Sequence, residues 1–146
     1  MNRSMFLRLD GVEGDSERPR HVGSIEIRGF TWGNELRPLS GSMIGPGKIK
    51  IRDLTLFKQP DISSPVLRWA SSSGKNFAEA AVTVEEYSPT GSLVGTTVIE
   101  MESVQVGTVT AAGVAPDSAM TEAVVLNFAN YKLSRHSAER LEPARN

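Results

Sequence analysis

The chain has 146 residues, with 39% apolar and 23% charged positions, which suits one folded domain with a real core rather than a disordered polymer. Sixteen Lys and Arg against 17 Asp and Glu leave a formal charge of −1, so no global field favours nucleic acid or an anionic membrane. There is no cysteine, which removes disulfides, thiolate metal sites and cysteine nucleophiles.

The elements follow in chain order. Met5 to Leu9 alternates weakly and is predicted as a first strand. The polar stretch from Gly11 to Gly23 is predicted as a loop. Ser24 to Trp32 is the next strand: Ile25 and Ile27 share one parity, Phe30 and Trp32 the other, so the apolar face changes near Gly29. Asn34 to Gly47 is predicted as a long loop carrying Met43, Ile44 and Pro46 between glycines, and loops of this length are usually functional or flexible. Lys48 to Lys58 is a strand whose apolar parity passes from Ile49 and Ile51 to Leu54 and Leu56.

Ser64 to Lys75 reads as one complete short helix. Ser64 is predicted to cap it, Pro65 suits the first helical position, and Gly74 suits the residue just past the end. Phe77 to Tyr87 is a strand with Val82 and Val84 inward, and Ser88-Pro89-Thr90-Gly91 is a turn. Leu93 to Thr110 and Thr121 to Leu133 are two long strands, each changing parity partway, on either side of a small-residue loop from Ala111 to Ala119. A flat half-buried strand keeps one parity, whereas a strand that bends through a barrel corner or crosses between sheets changes it. The expected fold is therefore mainly β: a compact barrel or flattened sandwich of two antiparallel sheets with one short flanking α-helix. Residues 1–133 form the single domain, and 134–146 a polar tail expected to be disordered.

Catalytic chemistry is not expected. The two histidines, His21 and His136, lie in a polar loop and in the tail and read as solvated. Their spacing to carboxylates matches no metal site, so no metal and no cofactor are expected. Ser40-Gly41-Ser42-Met43-Ile44-Gly45 is not a nucleophile elbow, because glycine stands at neither required position around Ser42. Ser72-Ser73-Gly74-Lys75 resembles the end of a phosphate loop, yet it closes a helix instead of opening one. The neighbours Glu85 and Glu86, and the same-parity pair Glu100 and Glu102, read as solvated acids or partners of cations on adjacent strands. No stretch is long and apolar enough for a signal peptide or a membrane span, so any export is expected to need no cleaved leader.

Taken in order, several short stretches resemble one family. They are Met5-Phe6-Leu7, Gly11-Val12-Glu13-Gly14, Ile25-Glu26-Ile27 with Phe30-Thr31-Trp32-Gly33, Gly41-Ser42-Met43, and Gly47-Lys48-Ile49-Lys50-Ile51-Arg52-Asp53-Leu54. Ser64-Pro65-Val66-Leu67, Ala70-Ser71-Ser72-Ser73-Gly74-Lys75, Thr121-Glu122 and Val125-Leu126-Asn127-Phe128-Ala129 complete the succession. The chain resembles the hemolysin-coregulated proteins, the Hcp tube subunits of type VI secretion systems. That resemblance implies a β-barrel subunit of a homo-hexameric ring. Rings stack into a tube that a sheath drives out of the cell, with spike and sheath proteins as partners and effector proteins carried in the lumen. It implies no catalysis, no nucleic acid and no membrane insertion. The chain departs from the family in a short Gly45-Pro46-Gly47 stretch and in Phe30, where tryptophan is frequent. The first departure bears on stacking, so a carrier or binding module that forms no tubes is the alternative function.

Two site expectations follow. If Phe30 and Trp32 fill the core, then Gly29, Thr31 and Gly33 face away from it and suit a lumen that passes cargo. Met43, Ile44 and Pro46 are expected to contribute to contacts between subunits or between rings.

Overall fold

The computed structural model describes residues 2–32, 37–38, 50–112 and 120–137, with backbone alone at 37–38, 50–52 and 112. Eight strands and one helix follow in chain order: β1 (Asn2–Leu9), β2 (Ile25–Ile27), β3 (Gly29–Trp32), β4 (Arg37–Pro38), β5 (Lys50–Lys58), α1 (Ser64–Ser73), β6 (Asn76–Tyr87), β7 (Leu93–Ala112) and β8 (Thr121–Ser137). Strand β4 falls in the stretch expected to be loop, where Arg37 and Pro38 pair with Ile51 and Lys50. Strand β8 runs four residues beyond Leu133, so His136 sits on a strand, opposite Thr96.

The expected pair of sheets is not what forms. All pairings are antiparallel and belong to one curled sheet, a half-barrel with the order β2-β1-β6-β7-β8-β5-β3 and β4 added beside β5. The physical reason lies in β7, which pairs with β6 along one side and with β8 along the other, so the chain never breaks into two stacked layers. The edge strands β2 and β3 are consecutive in the chain, with only Arg28 between them. The two ends of the sheet therefore meet at Arg28, whose N–H donates to Phe57 O of β5 (2.7 Å), next to the Gly29–Phe57 pair of the β3–β5 ladder.

The parity changes mark where the sheet turns. Ile25 and Ile27 are buried on one side of Arg28, and Phe30 and Trp32 pack against the core on the other, as the alternation near Gly29 predicts. On β7 the buried pairs Ile99/Met101 and Val104/Val106 are separated by Ser103, which adopts φ 55°. Neighbouring strands change at the same level, between Phe77 and Ala80 on β6 and between Phe128 and Tyr131 on β8. Phe77, Val104 and Phe128 lie in one cross-strand row, and Glu79, Glu102 and Asn130 in another. Three adjacent strands thus bend along a common line, as expected of a coiled sheet. Beyond the bend Tyr131 keeps edge-to-face contact with Trp32 (4.9 Å) and Phe128 (6.2 Å), while Leu133 is 55% exposed and outside the core. The parity change predicted on β5 involves Ile49 and Ile51, outside the described side chains.

Helix α1 closes the core by burying Leu67 and Ala70. Its predicted stop is observed: Gly74 adopts φ 71° and its N–H reaches Ala70 O at 3.0 Å. Its predicted start shifts by one residue. Ser63 is the N-cap and makes no side-chain cap bond; its N–H and hydroxyl both donate back to Asp61 Oδ1. Ser64 opens the helix instead, and its hydroxyl is used elsewhere, as described below. The loop before β2 lies against the sheet at Gly14, where a Cβ would fall 2.5 Å from Ser24 O.

Candidate functional site

Two buried polar clusters organise the molecule, and neither is catalytic in form. The first joins β5, α1 and β8. Strand register places Lys58 directly opposite Glu122, both on the inward parity of their strands. Lys58 is 0% exposed and its Nζ lies 2.7 Å from Glu122 Oε1, 3.1 Å from Asp61 Oδ1 and 3.2 Å from Ser64 Oγ, and donates to Gln59 O at 3.0 Å. Ser64 Oγ accepts from the Asp61 N–H (2.9 Å) and donates to Glu122 Oε1 (2.8 Å). A buried charge is tolerated only when paired and fully hydrogen-bonded, and this ammonium has four oxygen neighbours. The arrangement fastens the start of α1 to two strands. It was readable in part: Leu54, Leu56, Lys58 and Glu122, Val124, Leu126 put one cation and one anion on apolar faces.

The second cluster overturns the reading of His21 as solvated, and it gives Glu85 its cationic partners from the loop before β2 and not from an adjacent strand. His21 has a side chain only 13% exposed, stacks on Phe6 with centroids 4.0 Å apart, and shares a hydrogen bond with Glu85 Oε2 (3.0 Å). Arg20 donates to the same oxygen and the Tyr87 hydroxyl to Oε1. Burial alone would push the Glu85 carboxyl up. The hydrogen bonds from His21 and Tyr87 and the charges of His21 and Arg20 outweigh it and hold the group below its ordinary 4.5. Burial, the hydrogen bond to Glu85 and that carboxylate's charge push the Tyr87 hydroxyl above its ordinary 10.0. This cluster straps the loop between β1 and β2 onto the outside of β1 and β6.

The residues singled out from the sequence are only partly brought together. Gly29 and Thr31 lie on β3 opposite Phe57 and Thr55, on the side away from Phe30 and Trp32; Thr31 is exposed and a Cβ at Gly29 would meet nothing within 4 Å. Gly33, Met43, Ile44 and Pro46 lie outside the described residues, as does Ser42. Glu86 bridges Arg3 (3.6 Å) and Arg135 (2.6 Å), whereas Glu100 and Glu102 are exposed. Lys75 follows the helix stop and places its Nζ 5.4 Å from the Phe77 ring centre, which is not phosphate-loop geometry. Among the described residues no group of three or more His, Cys, Asp or Glu gathers as for a metal, and no helix is long and apolar enough to cross a membrane.

What remains outside is a set of surfaces. Exposed apolar residues follow one another around the start of α1: Ile62 in the turn before it, then Val66 and Trp69 three apart on the helix, with Trp69 58% exposed. A cleft of about 420 Å³ beside β1 and β2 is lined by Arg3, Arg18 and Arg28, with Glu26 as its only acid. A second, of about 510 Å³, crosses β6, β7 and β8 and is lined by Asp10, Glu79, Glu100 and Glu102 with Arg8 and Lys132.

A curled antiparallel sheet with one flanking helix is a fold that known proteins share. The family described as "Type VI secretion system effector, Hcp" matches residues 6–134. Protein hcp1 of Pseudomonas aeruginosa is 32% identical over 131 residues, which are 88% of this chain and 80% of that protein. Among solved structures, one described as a type six secretion system protein aligns with a TM-score of 0.72 at 20% identity, covering 90% of this chain and 83% of its own. Hcp1 from Salmonella typhimurium aligns with a TM-score of 0.68 at 19% identity, covering 95% and 96%. At these identities the structures speak for the fold alone, and the family rests on the sequence matches. The chain belongs to the Hcp family of type VI secretion system proteins, whose role is structural and not enzymatic.

Proposed function

We propose that this protein is a subunit of the type VI secretion tube: six copies close into a ring, rings stack, and the stack leaves the cell with effector cargo in its lumen. The observation that carries this reading is the family match over residues 6–134, which spans nearly all of the described fold. Its partners are then itself, the spike and sheath proteins of the system, and effectors. It starts in the cytoplasm and is then exported. The row Ile62, Val66 and Trp69 supports a life in an assembly, since an apolar row left in water gains nothing for a monomer. In this reading Gly29, Thr31 and Gly33 line the lumen, and Met43, Ile44 and Pro46 contribute to contacts between subunits or rings.

The test is native mass in solution with negative-stain imaging of the same peak. A six-subunit ring with a central hole supports the tube-subunit reading. A monomer that persists at high concentration overturns it in favour of a carrier module.

A further inference from the structure

We infer that copies of this chain join head to tail through charge, with the cleft of Arg3, Arg18 and Arg28 on one copy receiving the acidic rows of Asp10, Glu79, Glu100 and Glu102 on the next. This rests on the self-association reading above and names the surfaces that carry it.

The arginine cleft is a built receptor for carboxylates. Arg3, Arg18 and Arg28 are exposed and line a common space with Ser4, Phe6 and Glu26, a local balance of +2 from three cations and one anion. Arg3 shares Glu86, and Arg18 lies 5.9 Å from the Phe6 ring centre; among the described residues neither Arg18 nor Arg28 enters an ion pair. Planar guanidiniums with free donors bind carboxylates in forked pairs.

The acidic cleft is its complement. Four carboxylates against Arg8 and Lys132 give a local balance of −2, and all six side chains are exposed. Glu79 stands directly opposite Glu102 across β6 and β7. Like charges so placed repel, and a cationic partner relieves the repulsion. The strand register sets the two clefts toward opposite ends of β1: Arg3 pairs with Glu86, whereas Arg8 and Leu9 pair with Ala81 and Ala80. Five residues separate Arg3 from Arg8, about 17 Å of strand. When the two clefts of one copy engage two different neighbours, the contact is not two-fold. It is heterologous, and it repeats from copy to copy until a ring closes or a filament grows.

The experiment follows the concentration at which the full chain assembles, by analytical ultracentrifugation at 0.1 M and 1 M NaCl, with melting by circular dichroism as the fold control. The variants are Arg18→Glu/Arg28→Glu and Glu79→Lys/Glu102→Lys. Each is expected to need at least tenfold more protein to assemble than the unaltered chain. A 1:1 mixture is expected to return to within about threefold, because every contact in an alternating ring again pairs opposite signs. The unaltered assembly is expected to weaken at 1 M salt, where screening falls to about 3 Å. If a reversal variant fails to fold, Arg18→Gln/Arg28→Gln and Glu79→Gln/Glu102→Gln replace them, and each is expected to flatten that salt dependence. Folded variants that assemble like the unaltered chain, or a mixture of folded variants that stays apart, overturn this contact while leaving the tube-subunit reading intact. An unaltered chain that stays monomeric at every concentration and salt overturns both.

Discussion

Lys58 shows how much one residue decides. Its ammonium is wholly enclosed, and its counter-ions come from a neighbouring loop and from a strand 64 positions away. Removing one partner of a buried pair leaves the other charge uncompensated. Lys58→Met is therefore expected to cost about 3 kcal/mol or more in urea denaturation. Lys58→Met combined with Glu122→Leu should cost less than the two single variants added together, because the two residues touch. Glu85 makes a prediction of a different kind. Its carboxyl titrates below 4.5 in the folded chain, so the ionised form favours folding. That contribution is present above the unfolded value and is lost as pH falls through the lower folded one. Stability measured against pH should show Glu85→Gln weaker than the unaltered protein near neutrality, with the gap closing below pH 4.5. A gap that stays constant through that range would show that the carboxylate contributes nothing by its charge. The Glu85 cluster could not be read along the chain, since His21 and Glu85 are separated by 64 positions and only folding stacks the histidine on Phe6.

At the scale of the element, α1 is the part most nearly legible in advance. Pro65 in the first turn and Gly74 past the last are local signals; Gly74 stands where the sequence predicts, and Pro65 is the second helical residue, one position later than expected. The N-cap differs because the Ser64 hydroxyl is held by the Lys58 cluster, while Ser63 donates back to Asp61. Gly74→Ala tests the stop alone. An added Cβ meets nothing within 4 Å, so only the left-handed φ of 71° opposes it. A loss of about 1 kcal/mol in thermal or urea unfolding is expected, with the fold retained. The strands teach a related lesson. Parity changes along β7 and β8 are visible as spacing in the sequence, while their alignment into one bend line with β6 depends on register.

At the scale of the whole molecule, the curl that joins β2 to β3 through Arg28 turns Gly29 and Thr31 away from the core on an edge of the sheet. If that side lines a lumen, a longer polar side chain there should obstruct cargo and leave the ring unharmed. Thr31→Gln is expected to lower the amount of effector co-purifying with the rings at unchanged native mass. Equal recovery from both would remove Thr31 from the lumen. The arginine cleft borders this edge at Arg28, while the acidic cleft crosses β6, β7 and β8 and the exposed apolar residues lie around the start of α1.

Alternation, caps and turn residues are local, so the order of the strands, the place of the helix and its stop could be read directly along the chain. The ordered succession of short motifs carried the family, because a family is written in residues and not in contacts. One sheet instead of two, the seam at Arg28, the burial of Lys58 and Glu85, and the separation of charge into two clefts all depend on which strand lies beside which. Those choices join residues tens of positions apart, and their energies exist only once the register is formed.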